Sequence, residues 1–133
     1  MLVAELRAES SSPTNLMLPF DKIKSNGEFH RAYAKGKCLN DRALAIYVFK
    51  NKGRGRRLGI TTGKKLGNAV TRNRARRIIR EAFRKISPQL RNNRDYVIVA
   101  RSGIINLKST DIYNILLARL GNTEFMADEG KND

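Results

Sequence analysis

The chain is short of the residues from which protein active sites are usually built. Its 133 residues include one cysteine, Cys38, and one histidine, His30. A lone cysteine excludes an intramolecular disulfide and a thiolate cluster for zinc. His30 has no acidic pair spaced to share a metal ion with it and reads as an exposed helix residue. There is no Walker-type phosphate loop, no Gly-x-Ser-x-Gly elbow and no His-Glu-x-x-His pair. The expectation is therefore no catalytic residue and no metal ligand on the protein itself. No apolar run is long enough to span a bilayer. The first residues lack the apolar core of a signal peptide, and Glu5 and Glu9 argue against a transit peptide, so a reducing, cytoplasmic location is expected. Acids are scarce too: 12 Asp and Glu stand against 27 Lys and Arg, for a formal net charge of +15. They are scattered, which disfavours a protein nuclease, since that would need clustered carboxylates or a His-based acid and base.

What the chain does have is cations, and they are concentrated. Residues 53–85 hold twelve Lys and Arg and only one acid, Glu81. Within this stretch Ala75, Ile78, Ile79, Ala82, Phe83 and Ile86 recur at the spacing of one helical stripe. Asn73, Arg77, Arg80 and Arg84 fall on the opposite side, with Arg74 and Arg76 on the flanks. An ordinary solvated face would mix both signs. Cations in the first turns of a helix also oppose its macrodipole, at about 0.3–1 kcal/mol each. A helix that accepts this cost is suited to holding phosphates. Membrane surfaces attract basic helices as well, but here the apolar stripe is needed to cover a sheet. Nucleic acid is the better partner.

Along the chain, residues 1–20 read as a polar, flexible extension with a short helical piece around 3–8. Ser25-x-x-Glu28 is a capping box and Gly36 a stop signal, bracketing a helix over 27–35 with Phe29 and Tyr33 on one face. Residues 38–50 alternate as a strand, Leu44, Ile46 and Val48 on one face and Ala43, Ala45, Tyr47 and Phe49 on the other, with room for a brief extra strand before Asp41. Residues 51–56 read as a mobile, basic hairpin loop. Residues 57–62 form the next strand, with Leu58 and Ile60 inward, and Asn68 caps the arginine helix. That helix ends near Ile86, because Ser87-Pro88 disfavours continuation. Residues 96–100 suit an interior strand, and Ser109 or Thr110 caps a last helix ended by Gly121. Residues 122–133 read as an acidic, disordered tail. One domain over 21–121, in the order α-β-β-(β)-α-β-α, implies an α+β two-layer sandwich.

Lys64-Lys-Leu-Gly-Asn-Ala-Val-Thr-Arg-Asn-Arg-Ala-Arg-Arg-Ile-Ile-Arg80 resembles the signature of the bacterial ribonuclease P protein subunit, an Arg-Asn-Arg run followed by further basic residues on a helix. Phe29-His-Arg-Ala-Tyr-Ala-Lys-Gly36 is similar to the family's first helix, Arg57-Leu-Gly-Ile60 to the strand before the motif, and Asp95-Tyr-Val-Ile-Val-Ala-Arg101 to its final strand. The resemblance implies a small protein cofactor of a large catalytic RNA that removes the 5′ leader from precursor tRNA. The RNA would carry out hydrolysis with its bound Mg2+, no metal site is assigned to the protein itself, and no membrane or protein partner is expected. It also implies a left-handed crossover through the arginine helix, against the usual rule. Residue by residue, Lys64, Lys65, Asn68, Arg72, Asn73, Arg74, Arg76, Arg77 and Arg80 match the family's contact with the catalytic RNA. Phe29, Tyr33 and Tyr47 match the cleft through which the single-stranded leader passes. Periodicity alone would make Phe29 and Tyr33 ordinary core. The alternative function is a small ribosomal or other structural RNA-binding protein with no part in cleavage.

Overall fold

The computed structural model describes residues 19–121, 123, 125 and 126. Most of the expected extension, with its helical piece, and most of the acidic tail lie outside these residues; Phe20, placed in the extension, is instead buried in the core with its ring 5.0 Å from that of Phe83. The order of elements is β1 (Asp21–Lys22), α1 (Asn26–Lys35), β2 (Lys37–Asn40), β3 (Leu44–Lys50), β4 (Arg57–Thr62), α2 (Ala69–Ile86), β5 (Arg94–Ala100) and α3 (Ser109–Leu120). The strands form one sheet in the spatial order β1-β4-β5-β3-β2. β4 and β5 are parallel, β5 and β3 antiparallel, and α2 connects the parallel pair.

Strand alternation divides the sheet into two faces. Leu44, Ile46, Val48, Leu58, Tyr96 and Ile98 point to one, where they meet the apolar stripe of α2 and Ile112, Leu116 and Leu120 of α3. The mixed α+β class is the expected one, although helices cover both faces of the sheet and not one. On the other face α1 lies over Val97 through Ala32, with Phe29, Tyr33, Tyr47 and Phe49 half-buried around them. β5 is thus covered on both faces, as its continuous apolar run requires.

Three local readings change. Residues 51–56 are not a hairpin, because β5 lies between β3 and β4 and the segment must cross the end of β5. Nor is it loosely held. Asn51 is buried, its side-chain amide donating to Gly55 O at 2.9 Å and to Asp95 Oδ1 at 2.8 Å, while its Oδ1 accepts from Arg54 N. At α3 neither Ser109 nor Thr110 is the cap. Lys108 holds that position, and its backbone N–H donates to Asp111 Oδ2 at 2.8 Å. Within the expected tail, Phe125 is buried in the main core and its carbonyl accepts from Arg91 N, which ties residues 125–126 to the turn before β5. The apolar pair Phe125-Met126 outweighs the polar residues around it.

Candidate nucleic-acid interface

The entry to α2 is built to present cations. Gly63 to Gly67 forms a single tight turn pinned by buried Leu66, leaving Lys64 and Lys65 exposed. Gly67 has φ of 129°, a value that favours glycine. Asn68 then accepts from Thr71 N at 3.0 Å, capping a helix whose first two turns carry Arg72, Arg74 and Arg76. No acid occupies the first turn.

The nine residues assigned to this surface do not behave alike. Lys64, Lys65, Asn68, Asn73, Arg76 and Arg77 are exposed, and Arg72 and Arg80 are half-buried. Arg72 Nε has no hydrogen-bond partner although it is shielded from solvent. Arg76 Nε donates to Thr62 Oγ1 at 3.1 Å, which aims its guanidinium without neutralising it. Arg74 is turned inward: it donates to Ile105 O at 3.2 Å and Leu107 O at 2.7 Å, bracing the turn before α3. Its nearest task is therefore structural.

Across the sheet, Phe29, Tyr33 and Tyr47 come together at the side of α1. The ring centroids of Tyr33 and Tyr47 are 5.0 Å apart at 75°, and those of Phe29 and Tyr33 6.4 Å apart at 45°. Tyr33 Oη and Thr61 Oγ1 share a hydrogen bond of 2.8 Å. The Tyr47 phenol is pushed above its ordinary range, first by hydrogen bonding with Cys38 and then by burial. All three rings remain partly exposed, so each can offer a face or edge to a base.

Gly59 makes this arrangement possible. A Cβ there would stand 2.7 Å from two atoms of the Phe29 ring, so the bare backbone lets the ring lie on the sheet. Thr61 and Thr62 face opposite ways, as neighbours on a strand must; one fixes Tyr33 and the other Arg76. Because β1 is only two residues long, it pairs with β4 at Arg57 and Leu58 and no further. The cavity at this open edge, about 160 Å³, is lined by Phe29, Gly59, Arg76 and Arg80 among others. The cationic and aromatic surfaces therefore adjoin around β4. Gly59, Thr61 and Thr62 were not singled out from sequence, although the inward assignment of Leu58 and Ile60 already places Gly59 and Thr61 on the other face.

A charged network locks the far end of the sheet. Arg57 donates to both carboxylate oxygens of buried Asp95 at 2.8 Å and to Glu28 Oε2 at 2.8 Å, and Arg54 reaches the same Glu28 oxygen at 3.0 Å. The Arg57 hydrogen bond holds the Glu28 carboxyl down at about 2, and the Asp95 hydrogen bond raises the Arg57 pKa further. Glu28 also completes the capping box with Ser25, so α1 is fastened to β4 and β5 through its first turn.

Among the described residues no group of three or more His, Cys, Asp or Glu is placed to hold a metal ion, and no helix is long and apolar enough to cross a membrane. His30 is exposed, as is Cys38.

The sequence profile described as Ribonuclease P matches residues 17–123. The ribonuclease P protein component of Shouchella clausii is 38% identical over 96 residues, spanning 71% of this chain and 79% of the relative. That of Clostridium botulinum is 37% identical over 108 residues, spanning 71% of this chain and 97% of its own length. The solved RNase P protein from Staphylococcus aureus superposes with a TM-score of 0.69 at 35% identity, covering 78% of this chain and 95% of that one. The Thermotoga maritima RNase P protein gives a TM-score of 0.69 at 25% identity, covering 78% and 98%. With most of its length matched by the profile and by these relatives, the chain belongs to the ribonuclease P protein family.

Proposed function

We propose that this chain is the protein component of a cytoplasmic ribonuclease P, in which it binds a catalytic RNA and the 5′ leader of precursor tRNA while the RNA, with its Mg2+, cleaves the phosphodiester. The observation that supports this most directly is the junction at β4, where a cation-rich helix and an aromatic cleft adjoin one edge of the sheet.

The division of labour follows from the side chains. Guanidinium forks on α2 pair with phosphates bidentately and release counterions, so they supply affinity that depends on salt and little on sequence. Lys64, Lys65, Arg72, Arg76, Arg77 and Arg80 would grip the catalytic RNA. Phe29, Tyr33 and Tyr47 would receive the leader, because an aromatic ring stacks on any base and leaders differ in sequence. Each stack is worth about 1–3 kcal/mol, and mature tRNA has no leader to supply one. The protein would thus bind substrate more tightly than product without touching the reacting phosphate.

The test is reconstitution at near-physiological magnesium with a bacterial ribonuclease P RNA and precursor tRNA. Protein alone should leave the precursor intact. RNA alone should cleave weakly, and the two together should cleave at the mature 5′ end with tighter precursor binding. Cleavage by nuclease-free protein without RNA, or no effect of the protein on the RNA, would overturn the proposal.

A further inference from the structure

α1 stands as a wall on its face of the sheet, and only one of its flanks is used above. Phe29 and Tyr33 project to one side of buried Ala32; Arg31 and Lys35, by the 100° step of a helix, project to the other. Tyr47 and Phe49 are two apart on β3 and share a face, so each flank of α1 receives one aromatic ring from the strand beneath. The Phe49 flank is a cavity of about 400 Å³ with six cations around it.

Two of those cations, Arg54 and Arg57, are neutralised by Glu28 and Asp95. The other four, Arg31, Lys35, Lys50 and Lys52, form no ion pair among the described residues and are exposed. Lys50 and Lys52 are held at the rim because Asn51 between them is buried and bonded to Gly55 and Asp95. Crowding like charges around a concave surface is unfavourable unless an anion occupies it. Phe49 adds a half-buried ring within the same cavity, a feature that bare phosphate does not need and that a nucleobase does.

We propose that this second groove binds a further stretch of single-stranded RNA, with a base stacked on Phe49 and the flanking phosphates held by Arg31, Lys35, Lys50 and Lys52. The inference rests on reading the chain as an RNA-binding protein, but not on its role in tRNA cleavage. The occupying strand comes either from the distal part of the leader, after it has passed the Tyr33 cleft, or from an unpaired segment of the catalytic RNA. The recognition chemistry is the same.

Fluorescence anisotropy of the full chain with a short labelled oligouridylate, and with duplex RNA of equal length, tests the site directly. Phe49→Leu should weaken the single strand about five- to tenfold, the lower part of the range for one missing stack, and leave the duplex unchanged. Lys35→Gln combined with Lys52→Gln should weaken the single strand and lower its log–log salt slope by about 0.7 for each phosphate no longer neutralised. A Tyr47→Ala background should preserve the Phe49→Leu loss, since the two rings serve different grooves. Unchanged single-strand affinity with Phe49→Leu at an unchanged melting temperature, or equal losses for single strand and duplex, would overturn the site. Should Phe49→Leu fail to fold, the lysine pair decides alone: unchanged affinity and slope refute it. With holoenzyme, a loss that grows with leader length identifies the leader as occupant, and a loss seen in assembly with the catalytic RNA identifies that RNA. A holoenzyme that gains nothing from the protein would refute the proposed function while leaving the oligouridylate result standing.

Discussion

Tyr33 separates leader binding from packing in a single side chain. Its ring contacts Tyr47 at 5.0 Å and its hydroxyl bonds Thr61 at 2.8 Å, yet the residue remains partly exposed. Tyr33→Phe removes only the hydroxyl, leaving Thr61 Oγ1 without that partner, and should cost about 0.5–1.5 kcal/mol of stability. The stacking surface survives, so holoenzyme affinity for precursor tRNA should change little. Tyr33→Ala removes the ring. If a leader base stacks there, precursor affinity should fall by about 1–3 kcal/mol, roughly 5- to 150-fold, with mature tRNA almost unaffected. The stability cost of Tyr33→Ala should stay below the roughly 3–5 kcal/mol of a fully buried aromatic, because part of the ring already faces solvent. Equilibrium binding of holoenzyme to both RNAs, with urea unfolding of each free variant, gives the comparison required. Equal loss for precursor and mature tRNA, alongside a core-sized drop in stability, would refute the cleft assignment.

The remaining predictions probe the helix and the charged network. Arg72→Ala with Arg76→Ala should weaken binding to the catalytic RNA and reduce its log–log salt slope by about 0.7–0.9 per phosphate no longer neutralised, with circular dichroism unchanged; Arg74→Ala should instead lower the melting temperature, because it releases Ile105 O and Leu107 O. Asp95→Ala deletes the acceptor of two Arg57 bonds and one Asn51 bond, and leaves a guanidinium only 12% exposed; it should cost about 3–5 kcal/mol in denaturant unfolding, and a cost below about 1 kcal/mol would contradict the network. Glu28 is held near 2 in the folded chain against 4.5 for the free group, so its stabilisation is complete above about pH 4.5 and is lost as pH falls towards 2. Glu28→Gln keeps a capping-box side chain but should flatten that part of the stability–pH curve, and superposable curves for the two proteins would refute the assignment.

Local signals in this sequence read well wherever one element sets its own terms. The arginine helix is capped by Asn68 and ends at Ile86 because capping and a 3.6-residue stripe are properties of the segment itself. Likewise the Ser25–Glu28 capping box appears as read. Signals whose cause lies elsewhere in the fold are read only in part or missed. Gly36 ends α1 as expected, but not through a left-handed turn: its φ is −79°, which any residue can adopt. It is glycine because α1 hands over to β2 against β3, where a Cβ would sit 2.9 Å from Val48 O and clash with Ala32 O. The two-residue β1 has no pattern of its own and exists only because β4 offers it an edge.

The crossing at 51–56 is the most instructive case, because its local chemistry argues for the wrong connection. Glycines and cations between two strands describe a hairpin, and nothing within the segment says that β5 will lie between them. What decides is Asp95, more than 40 residues later in the chain than Asn51. A buried carboxylate needs its hydrogen bonds supplied from within the protein. Asn51 supplies one from the end of β3 and Arg57 supplies two from the start of β4, so the two strands must flank β5. The same bonds hold Lys50 and Lys52 beside Phe49 and draw Glu28, with α1, over the sheet. One acid near the start of the central strand thus ties β3 and β4 to either side of β5 and, through Arg57 and Glu28, helps to position the helix between the two proposed RNA-binding grooves.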